Sequence, residues 1–303
     1  METLYGGIEG GGTKFVCLLG PGPDHIVDEE RFPTTTPDET LGRVVAFFRR
    51  PRDGVRPAAL GVSSFGPIDV NRASPTYGFI TTTPKPHWAY TDVVGLLQRE
   101  LGVPVGWDTD VNGAALGEWR WGAGRDADLL VYITVGTGIG GGAVIGGEPL
   151  HGLLHPEMGH LPMPVLDNDT FPGVCPYHGR CLEGLACGPA LQARAGRPAQ
   201  QLAPDDPIWD LEARYLAYGM QAITQVLSPQ RIVVGGGVAS YPGLLAAVRR
   251  HLVRINNGYI ASPKLADEVD SYVVAPGLGE RSGVLGALEL ARRELARSRG
   301  EPP

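Results

Sequence analysis

Two glycine–threonine turns lie far apart in this chain, each directly after a run of strand-forming residues. The first, Gly10-Gly11-Gly12-Thr13-Lys14, follows Leu4-Tyr5-Gly6-Gly7-Ile8-Glu9, and the second, Gly136-Thr137-Gly138, follows Leu129–Val135. Glycines lack a Cβ, so their backbone N–H groups can approach an anion closely, and a threonine hydroxyl adds a donor. A third run, Gly235-Gly236-Gly237, follows Arg231-Ile232-Val233-Val234. A single glycine turn is most often only a hairpin. Three at strand ends describe a nucleotide held between two lobes, which makes phosphoryl transfer the first chemistry to consider.

Between the two turns, Asp108-Thr109-Asp110-Val111-Asn112 follows a short apolar strand and opens a helix. A carboxylate at a strand end facing a cleft can accept a proton from a substrate hydroxyl. It can equally cap its helix, and Asp110 fits both roles. Further on, Cys175, His178 and Cys181 are spaced three apart in a stretch broken by Pro176 and Gly179. Two thiolates and an imidazole lack one ligand for tetrahedral zinc. His160 is the first choice for the fourth, with His155 and His151 as competitors; free thiols or a disulfide are the alternative. Four protein ligands would close the site against water, so its role would be structural, fixing a loop flanked by Glu157 and Glu183. Cys17 and Cys187 sit among apolar or small neighbours and read as buried fillers. Met158, Trp119, Trp121 and Trp209 read as core.

The elements that must position these groups alternate along the chain. Strands are expected at Leu4–Ile8, Phe15–Leu19, Ala58–Ser63 and Val103–Trp107, with helices at Asp38–Arg50 and Thr91–Leu101, the latter capped by Thr91. A helix at Asp110–Trp121 has the small residues Gly113, Ala114 and Ala115 on its packing face. Strands Leu129–Val135 and Ile139–Ile145 form a hairpin across Gly136-Thr137-Gly138. Then follow helix Asp206–Leu227, strand Ile232–Val234, helix Pro242–Asn256, strand Val269–Ala275 and helix Ser282–Arg297. The pattern occurs twice, which predicts a duplicated α/β layout with mixed sheets. We expect a smaller lobe over residues 1–113, a larger one with the zinc loop over 114–283, and a helix from about 284 to 303 packing back on the smaller lobe. The polar tail Arg297–Pro303 is expected to fray.

The chain has 303 residues, 43% hydrophobic and 19% charged, with a formal charge of −7. That balance, with no basic block beyond Arg pairs, argues against nucleic-acid binding. No segment reaches the ~18 apolar residues of a membrane helix. Met1-Glu2-Thr3 does not start a signal peptide, and four cysteines do not make a disulfide scaffold. We expect a cytosolic protein.

Six motifs in order resemble the ROK sugar kinases. They are Glu9-x-Gly11-Gly12-Thr13-Lys14, Ser64-Phe65-Gly66-Pro67, Asp108-Thr109-Asp110, Gly136-Thr137-Gly138-Ile139-Gly140-Gly141-Gly142, Glu157-Met158-Gly159-His160 with the cysteine loop, and Val234-Gly235-Gly236-Gly237. The resemblance runs from about residue 4 to about 295. Cys175-Pro176-Tyr177-His178-Gly179-Arg180-Cys181-Leu182-Glu183-Gly184 is most similar to the fructokinase branch. The resemblance implies an actin-like, ribonuclease-H-like duplicated fold with an interlobe cleft, ATP with Mg²⁺, structural Zn²⁺, and phosphorylation of a hexose at its 6-hydroxyl. It implies Asp110 as general base, and Glu157, His160, Glu183, Thr109, Gly66 and Pro67 around the sugar. Glu9, Gly11, Gly12, Thr13, Lys14, Thr134, Gly136, Thr137 and Gly138 would serve ATP, Mg²⁺ and the phosphates. Pro189, Gly235, Gly236 and Gly237 would serve the nucleoside, and His160, Cys175, His178 and Cys181 the zinc. A homodimer is the family expectation.

Three residues depart from the commonest family pattern: Glu9 stands where most members carry Asp, Thr109 where many carry Asn, and His178 where a third cysteine is usual. Together they fit the fructokinase branch. Glucokinase, mannokinase and N-acylhexosamine kinase would use the same residues. The family's repressors carry an N-terminal helix-turn-helix, for which a phosphate loop starting within ten residues of Met1 leaves no room. A non-catalytic sugar-sensing protein is the remaining different class.

Overall fold

The computed structural model describes residues 2–52, 55–167 and 169–301. Two five-stranded mixed sheets carry the chain. The first has the order β3-β2-β1-β4-β7, with β1 (Tyr5–Gly10), β2 (Lys14–Gly20), β3 (Asp28–Pro33), β4 (Ala59–Ser64) and β7 (Val105–Thr109). Helix α1 (Pro37–Arg49) joins β3 to β4. A two-stranded pair, β5 (Phe79–Ile80) and β6 (Thr91–Asp92), precedes α2 (Val93–Leu101). Helix α3 (Asp110–Trp121) then leads into the second sheet, of order β10-β9-β8-β11-β12. Its strands are β8 (Leu129–Val135), β9 (Ile139–Ile145), β10 (Glu148–Pro149), β11 (Arg231–Gly235) and β12 (Val273–Val274). Helices α4 (Leu182–Ala186), α5 (Gly188–Ala195), α6 (Ile208–Leu227), α7 (Leu244–Asn256) and α8 (Val269–Tyr272) fill this half. Helix α9 (Ser282–Ser298) ends the fold. In each sheet three antiparallel strands continue into a parallel set, which is the predicted duplication.

The glycines of three neighbouring strands explain how α9 reaches the first sheet. Gly7, Gly61 and Gly106 are register partners across β1, β4 and β7. A Cβ on them would lie 2.6 Å from the Val284 carbonyl, 1.9 Å from that of Ala287 and 2.5 Å from that of Leu290. The helix backbone therefore lies directly on a stripe without side chains. Gly61→Ala should cost about 3 kcal/mol, the upper end for overpacking. Gly42→Ala in α1, where a Cβ meets nothing within 4 Å, should gain about 0.5–1 kcal/mol. Denaturant unfolding of the two variants measures both signs.

Several local expectations change. Thr91 pairs in β6, and the cap of α2 is Asp92, whose carboxylate accepts from Gly95 N–H at 2.8 Å. Val269–Ala275 is not one strand: the polar pair Asp270-Ser271 falls in α8, and only Val273 and Val274 pair with β11. Strand β3 and helices α4 and α5 went unpredicted. The first is a charged edge strand (DEERFP) without an apolar pattern, and the others are too short for a period to show. Cys17 and Cys187 are buried, as expected of fillers. Pro302 and Pro303 of the polar tail lie outside the described residues. Among the described residues no helix is long and apolar enough to cross a membrane.

Candidate active site

Asp110 is the first residue of α3, directly after β7. The cap of that helix is its neighbour: the Thr109 hydroxyl accepts from Asn112 N–H at 3.1 Å. Asp110 therefore does not cap the helix, and its carboxylate accepts the N–H of Val111 next to it, at 2.9 Å. Burial pushes its pKa up to about 7, with the negative charges of Glu9 and Glu157 adding to the rise against the Val111 hydrogen bond. A base that titrates near neutral pH is suited to proton abstraction.

Asp110 lines a cavity of about 520 Å³ together with Glu9, Lys14, Thr134 and Gly235–Gly237. Gly237 also borders a second recess of about 470 Å³, lined by Gly136, Thr137, Pro189, Trp209 and Tyr241. Trp209 and Tyr241 stack at 3.6 Å between ring centroids on its wall. The two volumes adjoin at the third glycine run, an arrangement suited to phosphates in one and a nucleoside in the other. Gly11, Gly12 and Thr13 form the tip of the β1–β2 hairpin and line neither volume. The tip is held by Thr34 Oγ1 on the Gly11 carbonyl (2.7 Å) and by Lys85 Nζ on that of Gly12 (2.5 Å). The Lys85 contact has no signal in the local sequence.

Glu9 is half-buried, and its Oε2, shut off from solvent, has no hydrogen-bond partner among the described residues. Burial raises its pKa against the nearby positive charge of Lys14. An orphaned carboxylate oxygen on the cavity wall is the donor a hard divalent cation takes, directly or through water.

On the sugar side, Glu183 has a second task. Its Oε2 accepts from Ile139 N–H at 3.0 Å and would lie 2.6 Å from a Cβ on Gly138. One oxygen thus clamps the Gly136-Thr137-Gly138 turn, and the other has no hydrogen-bond partner among the described residues. Thr109, spent as an acceptor for the cap, keeps its O–H for a ligand. Glu157 is exposed and pairs with His155, whose Nδ1 lies 3.3 Å from its carboxylate. His155 Nε2 accepts from Ile68 N–H at 3.4 Å, directly after Gly66-Pro67. In the tautomer with the proton on Nδ1, His155 bridges that turn to Glu157.

The metal candidates separate cleanly. The ligand atoms of His160, Cys175, His178 and Cys181 all lie within 4.8 Å of one another. His160 Nδ1 is 3.5 Å from Cys181 Sγ and 3.8 Å from Cys175 Sγ, and His178 Nδ1 is 3.7 Å from Cys175 Sγ. Tetrahedral zinc, with bonds of about 2.3 Å to sulfur and 2.0–2.1 Å to nitrogen, sets N···S edges of about 3.6 Å. His151 and His155 stand outside the group: His151 lies on Asp108, and His155 on Ile68 and Glu157.

Residues 5–294 match the model of the ROK family. A fructokinase of Zymomonas mobilis is 46% identical over 295 residues, covering 96% of this chain and 97% of the relative. A fructokinase of Streptococcus mutans is 43% identical, covering 98% and 100%. A putative fructokinase of Bacillus subtilis is 42% identical, covering 96% of each. Among solved structures, the ROK hexokinase of Thermus thermophilus superimposes with a TM-score of 0.80 at 29% identity, covering 97% of this chain and all of that one. A ROK glucokinase of Streptomyces griseus, in complex with glucose and AMPPNP, gives 0.75 at 26% identity, covering 96% and 99%. The motif order, the paired sheets and these matches agree, and the chain belongs to the ROK family, with its two-lobed actin-like fold.

Proposed function

We propose that this chain transfers the γ-phosphoryl group of ATP to the 6-hydroxyl of a hexose, D-fructose foremost. The observation that carries the reading is Asp110: a carboxylate relieved of capping, with its pKa pushed up to about 7, on the wall of a cavity that it shares with Glu9, Lys14 and the glycine run Gly235–Gly237. Relatives that carry the name fructokinase, 41–46% identical over most of the chain, favour fructose within the family.

Catalysis of phosphoryl transfer is mainly positioning and charge stabilisation. Asp110 takes the proton of the sugar hydroxyl as its oxygen attacks phosphorus in line, and ADP leaves. Lys14, on the cavity wall, meets the phosphates with its ammonium, and the turns at Gly11–Thr13 and Gly136–Gly138 would close over them with the N–H groups left by their own hairpin bonds, which take those of Gly11 and Gly136. Glu9 would hold Mg²⁺, which neutralises phosphate charge. Glu157, His160, the second oxygen of Glu183 and the Thr109 hydroxyl hold sugar hydroxyls beside Gly66 and Pro67. His160, Cys175, His178 and Cys181 would hold a structural Zn²⁺. The small lobe is residues 1–113, with the helix from 284 returning to it, and the large lobe is 114–283. The enzyme works in the cytosol, as a homodimer.

The test is ADP release with MgATP over fructose, glucose, mannose and N-acetylated hexosamines at equal protein. The highest kcat/KM on fructose supports the reading. A higher value on another hexose keeps the reaction and replaces the substrate. No turnover on any sugar overturns the kinase and leaves a sugar-sensing protein.

A further inference from the structure

Asp108 lies two residues before Asp110 and is only 2% exposed, yet nothing in the reaction above uses it. Its Oδ1 accepts from Thr109 N–H and from Asn112 Nδ2, each at 2.8 Å. Its Oδ2 meets the Nε2 of His151 at 2.9 Å. A buried carboxylate is costly unless its lone pairs are met, and the group that completes this one comes from the other half of the fold. His151 follows β10 and begins the segment that carries Glu157 and His160. Asn112, whose Nδ2 is 3.4 Å from His151 Nε2, also reaches the second sheet, where its Oδ1 accepts from Ala143 N–H at 3.3 Å. A buried polar network thus ties the β7–α3 turn, which aims Asp110, to the loop that leads to the sugar-binding side chains.

We infer that His151 is a positioning residue for Asp110: its N–H fixes Asp108, and with it the turn that directs the Asp110 carboxylate toward the sugar hydroxyl. The role is narrower than general support of the fold. The imidazole is 37% exposed, so trimming it opens no core cavity, while Asp108 beneath it loses the one donor to its Oδ2 among the described residues. The charge also matters. His151 borders a cavity of about 180 Å³ that holds Glu148 beside it, Arg72 and Tyr77 from the first half, and Arg293, Glu294 and Arg297 from α9. Arg293 is held by Glu148 and the buried Glu289, and Arg72 and Arg297 by Glu294, so each guanidinium is paired with a carboxylate and a protonated His151 adds a positive charge beside the turn of Asp110. Its hydrogen bond to Asp108 raises its pKa and favours that protonated form.

The inference rests on Asp110 being the base, and the experiment separates the two. Kinetics with MgATP and the preferred sugar are measured from about pH 5.5 to 9 for wild type, Asp110→Asn, His151→Leu and His151→Gln. His151→Leu should lower kcat by about 10–100-fold, the scale of an ångström of misplacement, with KM for MgATP within about twofold. His151→Gln keeps an N–H donor and should recover to within about fivefold of wild type. Both variants lose the positive charge, so the acid limb of kcat/KM should move up by about half a pH unit, because Asp110 then ionises less readily. A His151→Leu kcat within twofold of wild type overturns the inference, even with a lowered melting temperature. So does a glutamine variant no better than leucine, or an acid limb that stays in place. If leucine prevents folding, the plateau and limb of His151→Gln decide alone. Near-wild-type turnover by Asp110→Asn instead removes the base itself.

Discussion

Asp110→Asn is expected to lower kcat by about 10²–10⁴-fold, the usual contribution of a general base, while fructose affinity stays within a few-fold of wild type. The two readouts separate because the side chain has little else to do. Thr109 supplies the cap of α3, and Asp110 accepts from the adjacent Val111 N–H. Asparagine has the same shape and keeps an acceptor for that N–H, so the helix start survives and only the proton acceptor is lost. The pH profile follows from the raised pKa. Asp110 works ionised, and burial together with Glu9 and Glu157 pushes its pKa up to about 7. Below that value the protonated fraction grows, and kcat/KM for the sugar should fall about tenfold per pH unit; above it the rate should level. Asp110→Asn should lose this limb along with its rate. Retention of more than about a tenth of wild-type kcat would show that another group takes the proton.

The residues that do chemistry were legible in the sequence because their signals are local. Glycine turns at strand ends and a Cys-x-x-His-x-x-Cys loop follow from spacing alone. What one side chain does for another was hidden. Thr109 and Asp110 are both capping types, and only the structure shows that the first takes the cap and so frees the second. Three histidines competed for the fourth metal position, and contacts distant in sequence separate them: His151 with Asp108, His155 with Ile68, His160 with the thiols. Glu183 read as a sugar ligand, and its clamp on Ile139 N–H links positions far apart in the chain. The fold was legible wherever apolar runs repeat and illegible at the charged strand β3. The glycine stripe under α9 exists only once β1, β4 and β7 are in register.

Removing the metal should cost the enzyme its sugar more than its nucleotide. The proposed ligands sit on both sides of the sugar-binding groups: His160 ends the turn Met158–His160 that follows Glu157, and Cys181 directly precedes Glu183. Cys181 also accepts from Gly184 N–H at 3.4 Å, so it caps the helix that carries Glu183. Loss of zinc would free three sugar contacts at once and loosen the hold of Glu183 on the Gly136-Thr137-Gly138 turn. The rest of the loop has its own anchor. Asp169 takes two hydrogen bonds from Arg194, at 2.9 and 2.8 Å, and one from Tyr215 at 2.6 Å, joining the loop to α5 and α6. The chain should therefore stay folded without metal. Chelation, or Cys181→Ser, should raise KM for fructose by about 10–100-fold, the scale seen when groups supporting a site are lost, and change KM for MgATP far less. Because the ligands must be deprotonated, chelation should proceed faster at lower pH. Purified protein should carry one zinc per chain by elemental analysis. Well under one, in protein of full activity, would mean that hydrogen bonds hold the four side chains together and that the loop needs no ion.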